Sequence, residues 1–330
     1  MPAASDLRTA LITGISGSGG SYMADWLVAN QPHVAVHGIA RWHTATRDNL
    51  AHLKGRVTVH EADLTDFGSV LAVLSQVRPD VIFHLASYAN VRTSFITPAA
   101  VVSNNVMGTT NLFEAIRAAG IDPVVQHCST SEVYGQVPPE LVPIREDAPF
   151  RPVSPYAVSK AAQDLMCLAY VKSYAMKIVR TRMFTYLNPR RADLFATAFA
   201  RQVARIERGL ASELVHGNLD SVRTLLDVRD CMEAYWLAAV HGAPGEVYNV
   251  GGTVTMSVGQ VLDRLVAMAE RPIPCRVDPA LIRPVDVTLQ VPCVDKFKAA
   301  TGWKPRYSVD ESLAELLAHG RREAQREDAR

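Results

Sequence analysis

A glycine-rich turn near the start of the chain constrains its fold more than any other feature. The stretch TGISGSGG places Gly14, Gly17 and Gly20 three residues apart, directly after the apolar run TALIT and before a helical pattern at about residues 21–29. Glycine permits a tight turn and the close approach of a pyrophosphate, and a helix N-terminus supplies amide hydrogens and the positive end of its dipole. The turn therefore predicts a dinucleotide-binding site, with a purely structural turn as the alternative.

The rest of the first half repeats this strand-to-helix pattern. Strands are predicted at residues 34–40, 57–63, 80–87, 123–131 and 177–184, and helices at residues 69–79, 104–119 and 156–173. Such alternation implies a parallel sheet with helices on both faces. Right-handed crossovers make it a doubly wound, Rossmann-type α/β fold.

The alternation is lost after about residue 185, where loops that contain proline become longer. We therefore predict a cofactor-binding Rossmann domain at residues 1–184 and a smaller, mixed α/β substrate-binding region at residues 185–330. A strand near residues 246–252, EVYNVGG, is predicted to return to the main sheet. The highly charged tail at residues 321–330 is expected to fray.

Composition and charge argue against several classes of partner. The chain has 330 residues and a net charge of +1, which disfavours binding to nucleic acid or to a membrane surface. The densest basic stretch, at residues 201–208, has helical spacing and is interpreted as a solvated helix face. Five widely spaced cysteines without a C-x-x-C pair favour reduced thiols over disulfides or a metal site. We expect a cytoplasmic protein with no metal, signal peptide or transmembrane span.

Two charged residues after predicted strands bear on the choice of dinucleotide. Arg41 ends the second strand, where an NAD site usually places an acidic residue for the ribose hydroxyls. A guanidinium suits a 2′-phosphate instead, so the sequence favours NADP, with NAD or an ordinary loop arginine as alternatives. Asp63 follows the third strand, where it would accept a hydrogen bond from the adenine amino group or cap the next helix.

A tyrosine and a lysine in SPYAVSK form the strongest catalytic candidate. Tyr156 and Lys160 lie four positions apart, so a helix presents both on one face. A nearby ammonium lowers the pKa of a phenol, which predicts that Tyr156 acts as a base near neutral pH. Upstream, STSEVYG adds Thr130 and Glu132 at a predicted strand end.

These motifs together resemble the extended short-chain dehydrogenase/reductase family, in its nucleotide-sugar branch, over almost the whole chain. Within that branch, ALITGISGSGGSYMADWL, STSEVYG and NPRR are similar to GDP-mannose 4,6-dehydratases, while VRDCMEAYW and GEVYNVGG are more similar to GDP-4-keto-6-deoxymannose reductases. The resemblance implies an NADP-dependent dehydratase first, with an NADPH-dependent reductase or a nucleotide-sugar 4-epimerase as alternatives. It also implies a homodimer or a tetramer, built on the predicted helices at residues 104–119 and 156–173.

For a dehydratase, the resemblance implies a role for each residue of the catalytic group. Tyr156 would take the proton of the sugar C4 hydroxyl while C4 gives a hydride to NADP⁺, Lys160 would hold the cofactor ribose, and Thr130 would bond the C4 oxygen. Glu132 would remove the C5 proton, which the C4 ketone makes acidic, so that water leaves from C6 and the hydride returns there. A plain reductase needs no such carboxylate, and the alternative for Glu132 is a structural residue at a strand end.

The resemblance also assigns residues to the two ligands. Further cofactor contacts are expected from Ser18, Leu64, Leu85 and Ala86, and contacts to a GDP-linked sugar from Ser87, Thr185, Asn188, Arg191, Arg223, Arg283 and Asp286. Arginine suits a nucleotide diphosphate because its guanidinium binds phosphate oxygens in pairs. An ion pair with Asp227 or Asp230 is the alternative for Arg223. Thr185 stands where these families usually carry the asparagine of Phe-Asn-His, which leaves the sugar's pose open.

Overall fold

A parallel sheet carries the glycine-rich turn and most of the predicted site residues. The structure is a computed structural model and describes residues 4–42, 47–282 and 287–329. The elements of the first half are, in chain order, β1 Thr9–Thr13, α1 Ser18–Asn30, β2 Ala35–Ala40, β3 Val57–Glu61, α2 Phe67–Val77, β4 Val81–His84, α3 Val91–Ile96, α4 Pro98–Ala118, β5 Val124–Thr130, α5 Pro155–Tyr174 and β6 Ile178–Met183.

The second half has shorter strands. Its elements are β7 Tyr186–Leu187, α6 Phe195–Glu207, β8 Leu214–His216, β9 Val222–Asp227, α7 Val228–His241, β10 Val247–Val250, β11 Val254–Ser257, α8 Val258–Ala267, β12 Cys275–Val277, β13 Leu289–Gln290, α9 Asp295–Thr301 and α10 Val309–Asp328. Short 3-10 helices lie at Ala4–Asp6, Arg47–Leu53, Ser131–Tyr134, Pro139–Leu141 and Pro279–Leu281. In the described part of the chain, no helix is both long enough and apolar enough to cross a bilayer.

The main sheet confirms the predicted doubly wound fold. Seven of the described strands pair in parallel in the order β10-β6-β5-β4-β1-β2-β3. Helices α1 and α7 pack on one face of this sheet, and α2, α4 and α5 pack on the other. The strand order reverses at β1, since β2 and β3 lie on one side of it and β4, β5 and β6 on the other. Ligands of such sheets bind at the carboxyl ends of the strands beside this reversal.

Burial on both faces explains why strand β4 is almost wholly apolar. All four residues of β4, VIFH, are buried, as expected for a parallel strand that is covered by helices on both sides. The one polar member, His84, is satisfied because its Nδ1 lies 2.8 Å from Thr13 Oγ1 and its Nε2 lies 2.8 Å from Thr109 Oγ1. The sheet beneath the site is therefore a packed, hydrogen-bonded support.

Two helices begin earlier than the sequence pattern indicated. Helix α1 begins at Ser18 and not near residue 21, because Gly17 has extended backbone angles and already serves as the N-cap. Helix α4 begins at Pro98 and not near residue 104. Proline is favourable in the first turn of a helix, where its missing N–H would have no partner inside the helix. The early start of α1 places its N-terminus directly after the glycine turn.

In the second half, β9 organises a small second sheet. It pairs antiparallel with β11 and in parallel with β7 and β13. The register places Gln290 of β13 beside Arg223 of β9. Strand β10 instead joins the main sheet beside β6, in the position where the sequence placed a returning strand.

The long C-terminal helix corrects two predictions about charged segments. Helix α10 continues to Asp328, whereas the tail from residue 321 was expected to fray. It is held on α6 by ion pairs: Arg201 Nε lies 3.0 Å from Glu323 Oε2, and Arg205 Nη1 lies 2.6 Å from Glu327 Oε1. The basic stretch on α6 is therefore a half-exposed, ion-paired face between two helices and not a wholly solvated one.

Candidate active site

A cavity of about 530 Å³ lies at the carboxyl ends of the strands of the main sheet. Most of the predicted site residues line it: Gly14, Gly17, Ser18, Gly20, Arg41, Asp63, Leu64, Leu85, Ala86, Ser87, Thr130, Glu132, Tyr156, Lys160, Thr185, Arg191 and Arg223. Asn188 is absent from this lining. Arg283 and Asp286 lie outside the described residues. Residues that are far apart in sequence thus share one space.

The glycine turn has the shape that a pyrophosphate requires. Gly14 has a φ of 69°, in the left-handed region that favours glycine. A Cβ at Gly20 would lie 2.2 Å from Gly14 O, so no larger residue fits there. Gly17 donates its N–H to Gly14 O at 2.9 Å, and no side chain caps α1 at Gly17. The backbone and the helix N-terminus therefore fit the diphosphate of a dinucleotide.

The carboxyl ends of β2 and β3 bring Arg41 and Asp63 together. Arg41 donates from Nη1 to Tyr88 Oη at 3.0 Å, and the same nitrogen lies 4.0 Å from Asp63 Oδ2. These contacts disfavour the alternative of an unattached loop arginine. Asp63 accepts from the backbone N–H of Thr65 at 2.9 Å, whereas the N-cap of α2 is Asp66. The alternative role of Asp63 as a helix cap is therefore wrong.

Helix α5 presents the predicted tyrosine and lysine to the cavity. Its N-cap is Ser154, whose hydroxyl accepts from Ala157 N at 3.1 Å, and Pro155 occupies the first helical position. These residues begin the helix so that Tyr156 and Lys160 lie one turn apart, and both side chains are buried. The predicted placement of the pair on one helix face is what the structure shows.

Burial dominates the acid–base state of this pair. It raises the pKa of the Tyr156 phenol above its usual value, while the positive charge of Arg191 and a hydrogen bond with Thr130 act in the opposite direction. Burial also lowers the pKa of the Lys160 ammonium. The expectation of a lowered phenol pKa is therefore wrong for the protein alone, because desolvation outweighs the nearby charges. Of the two groups that lower the pKa of Tyr156, Arg191 has the larger effect.

The turn after β5 brings a hydroxyl and a carboxylate to the same place. Thr130 is the last residue of β5, and its Oγ1 accepts from Glu132 N at 3.3 Å, which caps the short helix Ser131–Tyr134. The negative charge of Glu132 is close enough to Tyr156 to raise the pKa of that phenol. A hydroxyl, a phenol and a carboxylate thus share one cavity, an arrangement that can move protons at neighbouring atoms of a bound substrate.

Arg191 is held over the cavity by three groups. Its Nη2 donates to Ala89 O at 2.8 Å, its Nε donates to Asp193 Oδ1 at 3.1 Å, and its Nη1 donates to Tyr186 Oη at 3.4 Å. Thr185 lines the cavity directly before Tyr186. The guanidinium is thus positioned before any ligand binds, which suits an anionic group.

Arg223 lies on β9 and lines the cavity. Its Nη1 donates to Val222 O at 2.9 Å. The carboxylate of Asp227 accepts from Arg229 Nε at 2.8 Å, and that of Asp230 accepts from the backbone N–H groups of the loop before α10. The carboxylates of Asp227 and Asp230 therefore bind these other groups, which disfavours the predicted alternative of an ion pair with Arg223.

Asn188 has a different place from the one predicted. Its side chain is fully buried, its Nδ2 donates to Ser18 O at 3.2 Å, and its Oδ1 accepts from Arg190 N at 2.9 Å. The residue therefore ties the loop after β7 to the start of α1. The resemblance located the correct loop, but the side chain turns toward the protein because a backbone carbonyl of the glycine turn is within its reach.

Several further polar side chains line the cavity although no motif indicated them, and four of these bear on the arguments below. These four are Tyr88, Tyr186, Tyr235 and Gln290. Tyr88 and Tyr186 closely follow β4 and β6, so their position after strand ends was a usable signal. Tyr235 belongs to an apolar helix pattern, and its hydroxyl lies 3.0 Å from Cys128 Sγ. Gln290 belongs to a two-residue strand, which is too short to show any periodicity.

Comparison with known proteins links this site to nucleotide-sugar enzymes. A family model described as GDP-mannose 4,6 dehydratase matches residues 11–316. GDP-mannose 4,6-dehydratase of Yersinia enterocolitica is 31% identical, over 94% of this chain and 93% of its own length. GDP-6-deoxy-D-mannose reductase of Pseudomonas aeruginosa is also 31% identical, over 93% of this chain and 95% of its own. The chain spans 60% of a longer relative, GDP-mannose 4,6-dehydratase sdnI of Sordaria araneosa, at 31% identity.

A solved structure extends the likeness to the whole fold. RMD from Pseudomonas aeruginosa, complexed with NADPH, superposes with a TM-score of 0.83 at 28% identity, over 96% of this chain and 98% of that one. The resemblance to the nucleotide-sugar branch, with dehydratases first and reductases close behind, is confirmed by these matches. The NADPH belongs to that relative and is considered for this chain below.

Proposed function

Because this chain belongs to the GDP-mannose 4,6 dehydratase family, we propose that it converts GDP-mannose to GDP-4-keto-6-deoxymannose by removing water. The observation that carries this proposal is the position of Glu132 in the same cavity as Thr130, Tyr156 and Lys160. Hydride transfer alone requires the hydroxyl, the phenol and the ammonium. Elimination requires an additional base for the C5 proton, and a carboxylate supplies one.

The glycine turn and its neighbours would hold a nicotinamide dinucleotide. Gly14, Gly17 and Gly20 let the turn fold tightly before α1, whose N-terminus would meet the diphosphate, and Lys160 would bond the ribose. A bound dinucleotide would supply the hydride chemistry, as an acceptor for the C4 hydride and its donor to C6, and its oxidised form would add a positive charge to the cavity. We favour NADP over NAD because Tyr88 holds the Arg41 guanidinium at the end of β2. The relative from Pseudomonas aeruginosa with bound NADPH supports the same choice.

The chain's own residues would supply the proton transfers. Tyr156 takes the C4 hydroxyl proton, helped by the charge of Arg191 and by the hydrogen bond from Thr130, both of which favour the phenolate. The ketone formed at C4 makes the C5 hydrogen acidic. Glu132 removes that hydrogen as a proton and delivers it to the C6 hydroxyl, which leaves as water. When the hydride is returned at C6, C5 takes up a proton, which balances the proton that Tyr156 took and must release before the next turnover.

The substrate would lie against the second half of the chain. Arg191 and Arg223 provide two guanidiniums for the diphosphate, while Ser87 and Thr185 line the sugar end. The assignments of Arg283 and Asp286 remain predictions from the resemblance, as does the division into residues 1–184 for the cofactor and 185–330 for the nucleotide sugar. We do not retain Asn188 as a substrate contact.

Assembly and location complete the proposal. Met107 of α4 and Val158 and Leu165 of α5 are apolar side chains that are about half exposed. This pattern supports association of α4 and α5 with a second copy, as a homodimer or a tetramer. We also keep the cytoplasm as the proposed location, because all five cysteines are unpaired.

A reductase is the second candidate, because the Pseudomonas aeruginosa reductase matches the chain as well as the dehydratases do. Mass spectrometry of GDP-mannose incubated with the purified protein separates the two. Loss of one water without net consumption of added NADPH supports the dehydratase. Intact GDP-mannose, together with a 4-keto-6-deoxy sugar that gains two hydrogens as NADPH is oxidised, supports the reductase. Inversion at C4 without loss of water would indicate the epimerase.

A further inference from the structure

An amide from the C-terminal part of the chain reaches the carboxylate of Glu132. Gln290 of β13 is buried, with 2% of its surface exposed. Its Nε2 lies 3.5 Å from Glu132 Oε1, at the outer limit of a hydrogen bond, and its Oε1 accepts from Ser131 Oγ at 3.1 Å. A carboxylate only accepts hydrogen bonds, so the amide must turn its NH₂ toward Glu132. The Ser131 hydroxyl, which donates to the amide oxygen, fixes the same orientation.

The backbone around Gln290 is held from two sides. On one side, the register of β13 with β9 places Gln290 beside Arg223. On the other side, Thr288 N donates to Gln136 Oε1 at 2.8 Å, and Ile144 N donates to Val291 O at 2.8 Å. The strand is therefore joined to the segment that follows Glu132, and the amide is positioned before substrate binds. Such preorganisation makes a weak contact effective, since little ordering remains to be done.

Gln290 also stands out from its neighbours because it is neutral. The charged or titratable groups that line the cavity with Glu132 are Arg41, Asp63, Tyr88, Cys128, Tyr156, Lys160, Tyr186, Arg191, Asp193, Arg223 and Tyr235. An amide donor stabilises a carboxylate without bringing a charge that would also attract the substrate's phosphates. It can therefore act on Glu132 alone.

We propose that Gln290 is a positioning residue that holds the Glu132 carboxylate ionised and oriented toward the C5 hydrogen. The proposal rests on the proposed function, since a reductase would have no use for it. Ser131 supports Gln290 by fixing the amide. In this account the C-terminal part of the chain binds the nucleotide sugar and also completes the elimination machinery of the first half.

The test compares Gln290→Leu with Gln136→Leu, which removes a neighbouring glutamine contact to the same segment without touching Glu132. The rate of water loss from GDP-mannose is measured across pH for the wild type and for both variants. Loss of the amide donor raises the pKa of the base, so the acidic limb of the Gln290→Leu profile should move to higher pH by about one unit. The rate on that limb should fall about tenfold, the size expected for one hydrogen bond to a charged group.

The controls keep a structural effect apart from the proposed one. Gln136→Leu loosens the backbone around Gln290 but keeps its amide, so it should move the acidic limb much less than Gln290→Leu does, and Ser131→Ala should move the limb in the same direction by an intermediate amount. Ser131→Ala also carries the test if Gln290→Leu fails to fold. An unmoved limb in Gln290→Leu, or an equal shift in Gln136→Leu, would overturn the proposal. A wild-type protein that removes no water from GDP-mannose would refute the proposed function itself, and this is seen before any variant is compared.

Discussion

The two walls of the cavity are built in different ways. One wall consists of the carboxyl ends of β4 and β5 with α5, all supported by the buried main sheet. The other consists of β7, β9 and β13, which are two, six and two residues long and belong to the small second sheet. The first wall carries the groups that move protons, and the second carries an arginine for the diphosphate. We infer that the groups that transfer protons are fixed by the deeply packed part, while the binding of the nucleotide sugar depends on the lightly supported part.

Removing the phenol of the first wall should have the largest effect. In Tyr156→Phe, the fold is retained but the group that takes the C4 proton is lost, so turnover should fall about 10²- to 10⁴-fold. The rate of GDP-mannose conversion measures this loss. Tyr174→Phe, at the exposed end of the same helix, is the matched control and should retain wild-type turnover. A loss of less than tenfold in Tyr156→Phe would remove this residue from the mechanism.

Removing the buried carboxylate that supports the first wall should have the next largest effect. Asp164 of α5 is fully buried and accepts from Arg180 Nη1 at 2.8 Å and from Arg182 Nε at 3.0 Å. Asp164→Ala leaves two buried guanidiniums without the carboxylate that neutralises them, which should lower the free energy of unfolding by about 3–5 kcal/mol. Urea denaturation measures the change, and a loss below about 1 kcal/mol would contradict a rigid first wall.

The Asp164 carboxylate should also make the free energy of unfolding depend on pH. Burial alone would raise the pKa of Asp164, but Arg182 and Arg180 outweigh it and hold that pKa below its usual value. The carboxylate therefore stabilises the fold above its unfolded-state pKa, and this contribution is lost as the pH falls through the lowered folded-state value. The difference in unfolding free energy between wild type and Asp164→Ala should shrink as the solution is acidified. A difference that stays constant with pH would show that the charge is not its cause.

A smaller effect is expected on the preference for NADPH over NADH when Arg41 is replaced. Arg41→Ala removes the guanidinium that is expected to meet a 2′-phosphate, so the ratio of NADPH to NADH affinity should fall about tenfold, a typical value for one charge-assisted contact. Tyr88→Phe removes only the hydroxyl that holds Arg41 and should lower the ratio less. Fluorescence titration with both cofactors measures the ratio. An equal loss of affinity for both cofactors would show that Arg41 does not discriminate between them.

Removing an ion pair between α6 and α10 should have the smallest effect of all, a minor change in the free energy of unfolding. Arg205 and Glu327 are 41% and 47% exposed, so solvent screens their attraction. Glu327→Ala should lower the free energy of unfolding by less than about 1 kcal/mol. The same denaturation assay as for Asp164→Ala gives the comparison. A loss as large as that of Asp164→Ala would show that the C-terminal part is not held mainly by its apolar contacts.

The sequence allowed prediction of the first wall because its signals are local. The glycine turn, the strand ends and the four-residue spacing of Tyr156 and Lys160 each lie within one short stretch, and the alternation of strands and helices follows from burial on both faces of the sheet. The second wall depends on contacts between distant positions. Gln290 and Glu132 are 158 positions apart, and no periodicity in a two-residue strand indicates such a contact.

Other errors have equally specific causes. The fraying expected of the C-terminal tail ignored partners on α6, which lie about 120 positions earlier in the chain. The sequence placed Asn188 in the cavity because a sequence cannot show that Ser18 O is within reach of its amide. The pKa of Tyr156 was predicted from a neighbouring charge, whereas the cost of burying the phenolate is larger. In each case the sequence shows which side chain is present but not which groups surround it in the folded protein.

The most direct test of the central claim is the conversion of GDP-mannose by Glu132→Gln in deuterated water. Glutamine keeps the size of the side chain but cannot accept the C5 proton. We predict that the variant loses nearly all release of water and incorporates almost no deuterium at C5, while it still binds cofactor and GDP-mannose as the wild type does. A variant that keeps most of its turnover, or that exchanges the C5 hydrogen at the wild-type rate, would show that Glu132 is a structural residue and that the protein is not a dehydratase of this kind.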